Sequence, residues 1–192
     1  MAINLTKGQR VSIESGLQLA LVGLGWDTNR YDGGYDFDLD ASAFLLGENG
    51  KLMRDEDFIF YNNLESRNKA VIHTGDNRTG DGDGEVIYID FTKIPSDVKK
   101  IAICVTIDEA EARRQNFGQV SNAYIRLAKR ADEFDEEGET LLKFDLEEEF
   151  SIETALVVAE LYQKNGEWKF NAVAAGYQGG LEAIVRSFGG NV

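Results

Sequence analysis

Short apolar runs recur along the chain at residues 19–24, 43–46, 58–61, 86–91, 101–107, 123–127, 155–162 and 168–174, separated by glycine or by Asp and Asn. Runs of this length between turn signals predict strands, and this many in one chain predict a sandwich of two sheets. Asn165-Gly166, between Glu160-Leu161-Tyr162 and Trp168-Lys169-Phe170, predicts a tight hairpin. Helical spacing occurs in two places. Residues 108–115 are charged and contain no β-branched side chain, which suits a short helix. Residues 180–188 place Leu181, Ile184, Val185 and Phe188 on one face, and Gly189-Gly190 follows as a stop. The expected fold is mainly β: a β-sandwich with a short helix near 108–115 and a C-terminal helix. No linker, internal repeat or low-complexity tract interrupts the pattern, so residues 1–192 read as a single domain.

Charge narrows the function. The chain has 34 Asp and Glu against 20 Lys and Arg, a formal charge of −14. Nucleic acid and anionic lipid attract a basic footprint, so neither is the expected partner, and a cation is the natural complement. Cys104 is the single cysteine and lies in the apolar run Ile101-Ala102-Ile103-Cys104-Val105, which predicts a buried, unreactive thiol. A chain without disulfides suits a reducing compartment. The first residues carry no basic region followed by a long apolar stretch, and no segment reaches membrane-spanning length. A cytoplasmic location without membrane insertion is the expectation.

Two acidic, glycine-rich segments carry the candidate chemistry. In the first, residues 25–42, Asp36, Asp38 and Asp40 alternate with Phe37, Leu39 and Ala41. On a strand this puts three carboxylates on one face and three apolar side chains on the other. Successive carboxylates then stand about 6.5–7 Å apart and repel unless a cation compensates them. The second segment, residues 73–85, offers Asp76, Asp81, Asp83 and Glu85 among glycines that let carbonyls turn toward an ion. It has no strand or helix period and reads as a loop, with His73 ordering it. A third acidic run, residues 132–139, reads as a solvated turn between two strands.

An oxygen-only ligand set suits calcium, which takes carboxylates, carbonyls and water in loose geometry. Magnesium dehydrates reluctantly, and zinc wants His and Cys, of which the chain has one each. An EF-hand starting at Asp36 needs Gly at its sixth position and Glu at its twelfth, where Ala41 and Gly47 stand, and one starting at Asp81 meets Val86 at the sixth. The site is therefore expected on β-structure. On a straight strand Asp36 and Asp40 lie about 13 Å apart, too far to share one ion at ligand distances of about 2.3–2.6 Å. Either the strand bends or two calcium ions bind, and two are favoured.

The ordered set Gly23-Leu24-Gly25-Trp26-Asp27, Asp36-Phe37-Asp38-Leu39-Asp40-Ala41-Ser42, Phe60-Tyr61-Asn62-Asn63 and His73-Thr74-Gly75-Asp76-Asn77-Arg78-Thr79-Gly80 resembles the TerD family of tellurium-resistance and general-stress proteins. Val105-Thr106-Ile107, Ala112-Arg113-Arg114-Gln115-Asn116-Phe117-Gly118 and Gly176-Tyr177-Gln178-Gly179-Gly180-Leu181 extend the resemblance over nearly the whole chain. It implies a calcium-binding β-sandwich acting in resistance to tellurium oxyanions, often beside paralogous tellurium-resistance proteins. Carried over by position, it implies Asp27, Asp36, Asp38, Asp40, Asp76, Asp81, Asp83 and Glu85 as ligands. One departure is that the family has further acids after the Gly-Asp-Gly of the second segment, whereas here Glu85 follows Gly84 and an apolar strand begins.

Two function classes compete. A calcium-stabilised interaction module that is not an enzyme needs nothing more than these ligands. A metal-dependent hydrolase of phosphate esters would use the same acids, with Arg30 or Arg78 beside them, but the chain has no phosphate-binding loop, no nucleophile motif and no base paired with His73. The module is the favoured reading.

Overall fold

The computed structural model describes residues 2–27, 34–75, 82–146 and 152–191. Each apolar run contains a strand, although Phe60, Tyr61 and Phe91 lie just beyond one. In chain order the strands are β1 (Ile3–Leu5), β2 (Arg10–Ser12), β3 (Leu19–Asp27), β4 (Leu39–Leu46), β5 (Phe58–Ile59), β6 (Val71–His73), β7 (Glu85–Asp90), β8 (Lys100–Ile107), β9 (Ser121–Lys129), β10 (Glu139–Asp145), β11 (Ala155–Lys164) and β12 (Glu167–Tyr177). They form two sheets, ordered β1-β10-β9-β3-β7-β6 and β2-β12-β11-β8-β4-β5. All neighbours are antiparallel except β1 on β10. Among the described residues the α-helices are α1 (Ala110–Arg113) and α2 (Gly180–Ser187).

Alternation decides which face enters the core. Ala20, Val22, Leu24 and Trp26 of β3 meet Leu39, Ala41, Ala43 and Leu45 of β4 and Ile101, Ile103, Val105 and Ile107 of β8 in one cluster between the sheets. The second sheet is covered on its outer face too: Phe44, Leu46, Ala102, Cys104, Ala155 and Val157 pack against Ile184 and Val185 of α2. That double burial explains why β4 and β8 read as continuous apolar runs and not as alternating ones. Cys104 is fully buried beneath α2, and burial, then the charge of Glu160, pushes its thiol well above the usual range. Asn165 and Gly166 both adopt positive φ (55° and 79°) and join Lys164 to Glu167, the two-residue turn that fits the twist of a hairpin. No helix among the described residues is long and apolar enough to cross a membrane.

Candidate metal centre

The first acidic segment becomes a strand only from Leu39, and its alternation breaks at Asp38, which is buried. Phe37, Leu39 and Ala41 are buried in the core, while Asp36 is exposed, Asp38 is 9% exposed and Asp40 half-buried. Regular pairing begins only at Leu39, opposite Ile107. The approach to it is held mainly by side chains. Gln115 Nε2 donates to the carbonyls of Tyr35 (2.9 Å) and Asp36 (3.4 Å), and Trp26 Nε1 donates to that of Phe37 (3.0 Å). The Asp108 amide donates to the Asp38 carbonyl at 2.9 Å. The straight-strand spacing therefore does not govern Asp36. Its backbone is set by Gln115, just beyond α1, a contact between residues 79 apart that no local pattern announces.

Ala41 is where the two acidic segments meet. On one side β4 pairs with β8; on the other β5 reaches only Ala43 and Phe44, so the edge of β4 is open at Ala41. Two side chains from the opposite sheet close it. Glu85 Oε2, at the start of β7, accepts the Ala41 amide at 2.5 Å. His73 Nε2, at the end of β6, lies 3.0 Å from the Ala41 carbonyl. The Gly75 amide donates to His73 Nδ1 at 3.0 Å, which leaves Nε2 as the ring's donor toward Ala41. Nε2 thus faces the Ala41 carbonyl, and Glu85 Oε2 sits 3.4 Å away. Both backbone groups of a buried residue are satisfied in this way, as burial demands. His73 ties Gly75, at the start of the second segment, to Ala41. With both ring nitrogens engaged and 2% exposure, it is not placed to act as a general base.

The remaining acids divide. Asp76 and Asp81 lie outside the described residues. Asp83 lies on the outer face of the first sheet. Its Oδ2 takes Arg126 Nε at 2.7 Å and its Oδ1 takes the Tyr124 hydroxyl at 3.2 Å. That outer face also explains Gly23-Leu24-Gly25. A Cβ at Gly23 would strike the Asp83 carboxylate, and one at Gly25 would lie 2.5 Å from the Gly82 carbonyl and the Tyr124 ring. Asp27, at the end of β3, accepts from Asn122 Nδ2. The structure thus draws Asp38, Asp40 and Glu85 toward β4 and commits Asp83 to Arg126. Gln115, Trp26, Tyr124 and Arg126 hold these segments, and only Gln115 and Trp26 stood within quoted motifs.

The residues around β4 suit a hard cation in one particular respect. Glu85 Oε1 is buried and has no hydrogen-bond partner among the described residues. A carboxylate oxygen left so in a core asks for a donor or an ion. The available donors are all oxygens, the set calcium takes. Among the described residues, no three His, Cys, Asp or Glu side chains already converge as a metal-binding group.

A family model for the TerD domain matches residues 1–188. The chain belongs to the TerD family. It is 52% identical to general stress protein 16U of Bacillus subtilis, over 98% of both chains. It is also 52% identical to tellurium resistance protein TerD of Serratia marcescens, over 100% of this chain and 99% of that one. The crystal structure of a TerD homologue from Streptomyces coelicolor superposes with a TM-score of 0.64 at 18% identity, covering 88% of this chain and 96% of that one, which supports the fold. The Gly-Leu-Gly of β3 and the Asp-rich approach to β4 therefore belong to a TerD domain, and the mainly β two-sheet architecture is that of the family.

Proposed function

We propose that this TerD domain is a calcium-stabilised interaction module of the cytoplasmic stress response, acting in tellurium resistance without catalysing a reaction. The observation that carries the calcium reading is the Glu85 carboxylate, buried beside the Asp36–Asp40 segment with one oxygen lacking a partner among the described residues. Asp36, Asp38, Asp40 and Glu85 would hold the ion, with Asp76, Asp81 and Asp27 as further oxygen donors; Asp83 contributes through its pairing with Arg126. When bound, calcium neutralises charge that the fold otherwise leaves concentrated at the start of β4. The chain's own residues do the positioning: Gln115 and Trp26 hold the carbonyls of residues 35–37, and His73 with Glu85 ties Ala41 to the opposite sheet. Two ions suit the spread of these donors along the chain. The stress and tellurium-resistance role rests on the names of relatives that match this chain end to end, and paralogous family members are the partners this reading offers.

Titration calorimetry on metal-free protein tests the reading. Calcium should give saturable heats at concentrations where magnesium gives almost none. Equal affinity for both ions, or no heat with calcium, refutes it.

A further inference from the structure

Glu85 enters the core because of what happens two residues before it. β7 pairs with β3 only from Glu85, opposite Leu24, so Gly82-Asp83-Gly84 lies outside the ladder. Two of these three residues are glycines, and Gly82 has a φ of 66°, so the backbone has little conformational preference of its own. Asp83 supplies the anchor. Gly23 of β3 pairs with Val86 on one side and with Arg126 of β9 on the other. Because Gly23 has no Cβ, the Asp83 carboxylate lies directly over it and reaches across β3 to β9.

Both Asp83 oxygens are engaged there. Oδ2 accepts from Arg126 Nε at 2.7 Å, and Oδ1 accepts from the Tyr124 hydroxyl at 3.2 Å, which also lies 3.1 Å from the Gly82 carbonyl. The Arg126 and Asp83 side chains are 17% and 10% exposed. Arg126 is fixed from behind: Nη1 donates to Thr140 Oγ1 at 2.9 Å and Nη2 to the Glu137 carbonyl at 2.7 Å. Glu137 belongs to the loop between β9 and β10, which is itself tied, since Asp135 accepts the amides of Ala131 (2.8 Å) and Gly138 (2.9 Å). A charged fork held on several sides at low exposure is a rigid point of attachment.

We propose that Arg126 is a positioning residue of the metal centre: through Asp83 it fixes the turn at residues 82–84 so that Glu85 points beneath Ala41, and Asp83 itself holds no ion. The effect on calcium rests on the function proposed above; the effect on Glu85 does not. The competing reading has the opposite sign. If Asp83 were a ligand occupied by a guanidinium, deleting Arg126 would free a carboxylate, remove a positive charge beside the ion and tighten calcium binding. A positioning residue, once deleted, weakens it.

Hydrogen exchange followed by NMR on the full chain in chelator reads the position of Glu85 directly, because Glu85 accepts the Ala41 amide. Arg126→Gln should speed exchange of that amide about tenfold or more while the amides of β11 keep their rates. Arg126→Lys, which again meets the charge of Asp83 but lacks the fork, should recover part of the protection. In calorimetry Arg126→Gln should weaken calcium binding about tenfold, the usual cost of losing support behind a ligand. The double variant Asp83→Asn/Arg126→Gln should bind no more weakly than Arg126→Gln, since the two residues act as one unit. Tighter calcium binding in Arg126→Gln overturns the proposal, and so does an Ala41 amide that is unchanged or speeds up only in step with β11. A wild type that takes no calcium refutes the metal centre alone, and the exchange rates then decide whether Arg126 positions Glu85.

Discussion

Glu85 can be removed in two ways that separate its duties. Its carboxylate is 1% exposed and is the acceptor for the Ala41 amide. Glu85→Ala deletes that acceptor and strands a buried N–H on an open strand edge, which costs about 1–3 kcal/mol. The space left by the side chain adds a cavity cost of about 1–2 kcal/mol in a core that relaxes only partly. A loss of about 3 kcal/mol lowers the melting temperature by about 6–12 °C for a chain of this size. Glu85→Gln keeps the shape and an amide oxygen for Ala41, so in chelator it should melt within about 2 °C of the wild type, a difference of about 1 kcal/mol or less. Calcium then distinguishes clamp from ligand. At a hundredfold excess over its dissociation constant, calcium should stabilise the wild type by about 2.7 kcal/mol, or about 5–10 °C. Glu85→Gln should lose at least half of that shift, because it removes the carboxylate charge and one of the two oxygens an ion would take. The assay is a melting curve of the three proteins in chelator and in calcium. If Glu85→Ala melts within 2 °C of the wild type in chelator, the cross-sheet clamp contributes nothing. If Glu85→Gln keeps the full calcium shift, Glu85 is not a ligand.

Asp38→Ala should weaken calcium binding in calorimetry at least tenfold while far-UV circular dichroism stays unchanged, and Glu139→Ala, on the exposed start of β10, should leave binding as it is; equal losses would point to diffuse charge. Gly25→Ala sets a methyl group 2.5 Å from the Gly82 carbonyl and the Tyr124 ring, an overpacking that should cost about 1–3 kcal/mol in urea unfolding. Hydrogen bonds from the backbone amides of Ala131, then Gly138, hold the Asp135 carboxyl below the ordinary aspartate range. The loop's contribution is therefore complete above that range and is lost as pH falls through the depressed value. An NMR titration placing Asp135 at or above an ordinary aspartate would refute the loop geometry.

The periodicities in the sequence determined much of this protein. Apolar runs between glycines placed the central strands, Asn165-Gly166 placed a hairpin, and the spacing of Leu181, Ile184 and Val185 placed α2, because each signal is local and depends on residues a few positions apart. Alternation alone put Phe37, Leu39 and Ala41 into the core, and the setting of Cys104 foretold its burial. The short or polar strands β1, β2, β6 and β10 were not legible, since their pairing partners supply most of what makes them strands. The fate of the acids was likewise beyond sequence reach. Asp83 and Glu85 are two positions apart and look alike, yet one lies over Gly23 against Arg126 while the other enters the core beneath Ala41. The difference arises because the chain turns at Gly84 and the two carboxylates meet opposite faces of one sheet. Which acid pairs with an arginine and which clamps a strand amide depends on residues 40 or more positions away, brought alongside only when the sheets stack.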